Sequence, residues 1–207
     1  MNAVLSPERR DLLRQAALAQ RNSLSKSDVH VWSQRIQARV LELACYRSAQ
    51  AVALYSPIQN EVDTGILLDH ALSSGKRVYL PRWAEPGFSF ARMRSRSDLV
   101  AGRYGILEPI GDAGVSDADR QDLVVFVPGV VFDSRGNRLG RGRGVYDRLL
   151  GQFNVSDRSV GLAYECQIID AVPVQSWDRN MQFVVTESRT IDCSMNLRHA
   201  NVGSMGN

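Results

Sequence analysis

Val29, Trp32, Ile36, Val40 and Leu43 recur at the three- and four-residue spacing of one helix face, which predicts a helix over 26–45. A similar pattern predicts another over 7–22. Its start is marked by Ser6 as N-cap, Pro7 at the first helical position and Glu8 at the positive end. Beyond residue 50 the pattern shortens. AVALY (51–55) and KRVYLPR (76–82) read as strands, with a helix over TGILLDHALSSGK (64–76) between them, stopped by Gly75. FSFARM (88–93) alternates like an exposed antiparallel strand. DLVVFVPG (122–129) is continuous and β-branched, as in a strand covered on both faces. A short helix over 145–153, a buried strand over 159–164 and a last strand over 183–188 complete the pattern. Strands alternating with helices predict a single α/β domain over 1–195, with a mainly parallel open sheet, flanking helices and right-handed crossovers. Residues 1–45 form its N-terminal helical arm and 50–195 its core, and the small polar residues of 196–207 read as an unstructured tail.

Composition narrows this picture only a little. The 207 residues are 44% hydrophobic, enough for a core that needs no disulfide or metal, and Cys45, Cys166 and Cys193 are too scattered to form a CxxC pair. Reduced thiols, no apolar run near the roughly 18 residues of a membrane span and no signal-peptide layout predict a soluble cytoplasmic protein. A net charge of +3 is too mild to argue for nucleic acid. All the basic residues but Lys26 and Lys76 are arginine, the better bidentate partner for phosphate and carboxylate.

Position decides which arginines matter. Residues 128–148, PGVVFDSRGNRLGRGRGVYDR, hold five arginines and five glycines between a predicted buried strand and a predicted helix. Ligands of α/β sheets bind beyond the carboxyl ends of the strands. Alternating Gly140, Gly142 and Gly144 would let backbone N–H groups approach an anion, the helix would add its positive end, and Arg138, Arg141 and Arg143 would add charge. This is a phosphate cradle in physical terms, although it matches neither GxxxxGK[ST] nor GxGxxG. A glycine-rich hairpin with solvated arginines is the competing reading. Asp147, one turn into the helix, could cap it or hold Mg2+, and the residues alone leave both open.

The same residues resemble the signature of the 5-formyltetrahydrofolate cyclo-ligase family, roughly F-D-x-x-G-x-R-L-G-x-G-x-G-Y-Y-D-R. Phe132, Asp133, Gly136, Arg138, Leu139, Gly140, Gly142, Gly144, Tyr146, Asp147 and Arg148 match it. The likeness runs along the chain through Arg10 and Arg14, Arg21–Ser25, Glu61–Thr64, Gly75–Pro81, Gly105–Pro109, 127–129, Gly161–Gln167, Asp178 after its tryptophan, and Thr186–Glu187. The resemblance implies a Rossmann-like sheet of the kind found in sugar-phosphate isomerases and CoA-transferases. It also implies ATP-dependent cyclisation of 5-formyltetrahydrofolate. The γ-phosphoryl group passes to the formyl oxygen, the 10-nitrogen attacks, and phosphate departs to leave 5,10-methenyltetrahydrofolate and ADP.

It further implies residue roles. Arg10 (where the family usually has Lys), Arg14, Arg138, Leu139, Gly140, Arg141, Gly142, Arg143, Gly144, Val145 and Tyr146 would meet ATP. Arg14, Ser56, Glu61 and residues 141–145 would meet the folate, with Glu61 accepting from the amino-pyrimidinone edge of the pterin. Arg141, Arg143 and Tyr146 would act in catalysis, and Asp147 and Asp178 would bind Mg2+. Val145 departs from the family, which carries an aromatic there; Trp83 and Phe90 are candidate replacements. The expected partners are the folate and ATP, with no nucleic acid or membrane, and the chain is expected to be monomeric. The alternative is an RNA or single-strand binder using the arginines of 92–96 and 135–148.

Overall fold

The computed structural model describes residues 7–102, 105–111, 114–153 and 158–194. The expected Ser6 cap and the tail from 196 lie outside the described residues. Helix α1 (Pro7–Asn22) and helix α2 (Lys26–Glu42) form as the helical spacing predicts, and Ser25 caps α2 by accepting the Asp28 N–H at 3.0 Å. The predicted helix to residue 45 is in fact two. Leu43 turns extended, and a short helix α3 (Ala44–Ser48) follows. The break lets Val40 and Tyr46 enter the same core, where the Tyr46 hydroxyl meets His70 Nδ1 at 2.9 Å.

The rest of the chain runs β1 (Ala51–Ala53), α4 (Gly65–Ser73), β2 (Arg77–Ala84), β3 (Gly87–Met93), β4 (Leu99–Ala101), β5 (Leu107–Pro109), α5 (Asp117–Asp122) and β6 (Leu123–Pro128). It continues through β7 (Val131–Asp133), β8 (Arg138–Leu139), α6 (Val145–Phe153), β9 (Ser159–Leu162), β10 (Ile168–Ile169), β11 (Phe183–Val185) and β12 (Thr190–Asp192). The main sheet has the order β12-β11-β9-β6-β1-β2-β3. The five inner strands are parallel, and β3 and β12 close the two edges antiparallel. This is the expected mainly parallel α/β domain. Strand alternation sends Val124 and Phe126 to the core under α2 and α4, and Leu123, Val125 and Val127 to the core against α6.

β3 is antiparallel as predicted, but it is not an exposed strand: Phe90, Ala91 and Met93 are buried, Phe90 against Phe153 of α6. Alternation cannot foresee that a helix will cover the outer face. Between β6 and α6 lies more than a loop. The chain makes a β7–β8 hairpin, which pairs with β10 in a small sheet of its own. Asp133 organises it, fully buried and accepting the backbone N–H groups of Arg135, Asn137 and Val172. The N-terminal arm docks on this hairpin, with Ala17 of α1 in one apolar cluster with Val130, Val131, Leu139 and Val172.

Chain order places the site. From β1 the chain steps to β2 on one side, then returns to add β6, β9 and β11 on the other. At such a switch point the loops leaving the two strands diverge and open a crevice.

Candidate active site

A cleft of about 710 Å³ opens there, lined by Tyr55 and Ser56 after β1, Pro128 at the end of β6 with Gly129 after it, and the glycine-rich loop before α6. Its size suits a small-molecule site. Arg10, Arg14, Ser56, Glu61, Arg138, Gly140 to Asp147 and Asp178 all line it, so the structure gathers almost every residue singled out from the sequence. Leu139 is an exception, as are Trp83 and Phe90. The Leu139 side chain is wholly buried among the residues that hold α1, because on a two-residue strand it faces away from Arg138.

The loop owes its path to glycine at two points. Gly142 and Gly144 take φ of +94° and +60°, which L side chains rarely adopt. They present Arg141 and Arg143 at the surface and lead into α6, whose first turn carries Asp147. The side chains pair across elements. Arg14 Nε donates to the Gly140 carbonyl at 3.0 Å, Arg138 Nη2 meets Asp147 Oδ1 at 2.8 Å, and Arg10 Nη1 meets Asp178 Oδ2 at 3.0 Å. Each carboxylate proposed for Mg2+ therefore has an arginine partner. Among the described residues no group of three or more His, Cys, Asp or Glu gathers. Tyr146 is half-buried with Arg138 beside its ring at 5.8 Å, and desolvation keeps its phenol protonated far above neutral pH.

Glu61 sits in a tight loop where Gln59 and Asn60 take φ of 47° and 56°. Asn60 ties this loop to the end of α1, its amide donating to the carbonyls of Arg21 at 3.3 Å and Leu24 at 3.2 Å. Glu61 Oε2 accepts the Ile58 N–H at 3.1 Å, while Oε1 lies 3.4 Å from Arg141 Nε and 3.8 Å from Arg21 Nη2. Burial raises its pKa above the usual carboxylate value; the Arg21 charge pulls it back, with smaller help from the Ile58 N–H and Arg141.

Trp83 and Phe90 do not line the cleft. Trp83 packs edge-on against Phe88, and it is Phe88 that reaches the site. Trp177, 62% exposed beside Asp178, also lines the cleft, and its sequence position marked it only as the neighbour of Asp178. Arg21 and Glu108 lie inside the family-like segments Arg21–Ser25 and Gly105–Pro109, with nothing in the residues to mark a role.

The match to known proteins follows this geometry. The model of the 5-formyltetrahydrofolate cyclo-ligase family aligns with residues 6–187. The chain belongs to that family. It is 33% identical over 174 residues to the 5-formyltetrahydrofolate cyclo-ligase of Escherichia coli (strain K12), covering 82% of this chain and 95% of that one. It is 32% identical over 179 residues to the Haemophilus influenzae enzyme of the same name, covering 84% and 95%. The solution NMR structure of Aquifex aeolicus 5,10-methenyltetrahydrofolate synthetase superposes with a TM-score of 0.77 at 33% identity, over 89% of this chain and 92% of that one. The synthetase from Mycoplasma pneumoniae shares the fold, with a TM-score of 0.65 at 23% identity over 86% and 98%. Membership of the family and these relatives make the chain a 5-formyltetrahydrofolate cyclo-ligase. No helix among the described residues is long and apolar enough to cross a membrane.

Proposed function

We propose that this cyclo-ligase converts 5-formyltetrahydrofolate to 5,10-methenyltetrahydrofolate with ATP as co-substrate, through phosphorylation of the formyl oxygen. The observation that carries the reading is one cleft with five arginines (Arg10, Arg14, Arg138, Arg141 and Arg143) on α1 and the glycine-rich segment, and Glu61 with an apolar wall on the other elements. The first set suits a triphosphate and the second a pterin.

Phosphoryl transfer needs positioning and charge neutralisation more than covalent help from the protein. Arg141 reaches Gln59 at 2.6 Å and Glu61 at 3.4 Å, so it spans the two halves where γ-phosphoryl and formyl groups would meet. Tyr146, held neutral by burial, can donate a hydrogen bond there but cannot act as a base at neutral pH. Asp147 and Asp178 are engaged through Oδ1 and Oδ2 respectively. Asp147 Oδ2 and Asp178 Oδ1 are the carboxylate oxygens that would hold Mg2+, a hard ion that prefers oxygen donors. Bound there, Mg2+ would draw charge from the phosphate oxygens.

The test is direct. With Mg2+, ATP and 5-formyltetrahydrofolate, the near-ultraviolet absorbance of the methenyl product should rise, and it should stay flat when either ATP or the divalent cation is omitted. Product without nucleotide, or none from folded protein under any condition, overturns the reading.

A further inference from the structure

A further carboxylate, Glu108 on β5, lines the same cleft as Glu61, Asp147 and Asp178 and takes no part in their pairs. It is only 6% exposed. Oε2 accepts the backbone N–H of Trp83 at 3.0 Å, while Oε1 is buried with no hydrogen-bond partner. No arginine or lysine among the described residues forms an ion pair with it. Buried acceptors without partners are rare because each forfeits its hydration, so an unmet one on a cleft wall points to a ligand donor.

The surroundings are shaped for this carboxylate. Gly102 donates its N–H to Ile106 O at 2.8 Å at the end of the β4–β5 hairpin, and a Cβ there would overlap the Glu108 side chain. Ser56 Oγ donates to Leu107 O at 2.6 Å, pinning β5 to the loop that leads on to Glu61. Pro81, Phe88 and Ile106 add apolar lining to the same cleft. A carboxylate with no ion-pair partner among the described residues repels phosphate and attracts N–H donors.

We propose that Glu108 is a second recognition carboxylate, accepting on Oε1 a hydrogen bond from an N–H of the reduced pteridine ring and setting specificity for that ring beside Glu61. The proposal rests on the folate reading above.

Glu108→Gln separates recognition from structure. One terminal atom must still accept the Trp83 N–H, so the amide oxygen takes that place and the NH2 group faces the ligand, donor against donor. The variant should unfold near the wild-type midpoint, keep its KM for ATP, and show a KM for 5-formyltetrahydrofolate raised roughly tenfold or more. Unchanged KM values for both substrates would make Glu108 only a bracket for the Trp83 backbone and overturn the proposal; so would a rise confined to ATP. Should the Gln variant fail to fold, Glu108→Met, which fills the space without a polar atom, is read by the same split. The wild type is assayed alongside. A wild type that does not turn over removes the folate reading and this proposal together, whereas an active wild type with a wild-type-like variant removes this proposal alone.

Discussion

Arg21 carries a full charge at 1% exposure, with Nη1 on the Gly129 carbonyl at 3.0 Å and Nη2 3.8 Å from Glu61. It does not line the cleft, and its effect passes through Glu61. Its charge favours the ionised carboxylate, whereas desolvation favours the protonated one, so removing Arg21 moves the Glu61 pKa further up. A carboxylate is ionised above its pKa. In Arg21→Met the acid-side rise in KM for the folate should therefore begin at higher pH than in the wild type, measured at saturating ATP. Coincident pH profiles would show that Arg21 does not control Glu61. Asp147 tells a related story. From the sequence its role divides between metal ligand and helix cap, and Asp147→Asn is expected to melt almost normally if the metal role holds. The structure adds Arg138, whose side chain is 3% exposed and pairs with Asp147. Removing the charge leaves a buried guanidinium without its counter-ion, so Asp147→Asn should cost about 1–3 kcal/mol in urea unfolding as well as raise the Mg2+ requirement. Rate curves against Mg2+ that coincide with wild type would exclude Asp147 as the metal ligand.

Helices α1, α2, α4 and α6 were legible because each spans two or more turns, long enough for a 3.6-residue pattern to show. The short strands β4, β5, β7, β8, β10 and β12 were not, because two or three residues carry no period and their pairing comes from other segments; nor was α5, whose six residues are too few for a helical face to repeat. Caps divide in the same way. The Ser25 cap of α2 is local. At α4 the N-cap Thr64 makes no side-chain cap, and Gln37 of α2 serves instead, its Oε1 accepting the N–H groups of Ile66 at 2.9 Å and Leu67 at 3.1 Å. Gln37 is buried, so a Leu in its place would leave two helix-end donors unmet. Gln37→Leu should lower stability by about 1–3 kcal/mol, read as a lower urea midpoint at unchanged slope. A midpoint like wild type would mean that α4 needs no cap from α2.

The position of the cleft depends on strand order, which no local pattern encodes. Continuous β-branched runs such as 123–127 establish buried strands, and alternation with helices establishes a parallel α/β sheet, because only covered strands can be apolar on both faces. The glycine and arginine spacing of 138–148 and the family signature pointed to the chemistry available there: backbone freedom, charge and a carboxylate in one segment. Tertiary structure decided what these residues face. It brought Arg10 to Asp178 and Arg141 to Glu61 across long stretches of chain, turned Leu139 into the core, and put Phe88 and Trp177 at the cleft in place of Trp83 and Phe90. It also left Glu108 with an unmet acceptor. Residue type and spacing report local conformation and available chemistry; which charges neutralise each other, and which stay open for a ligand, depends on contacts between distant segments that only the packed sheet and its docked α1 arm create.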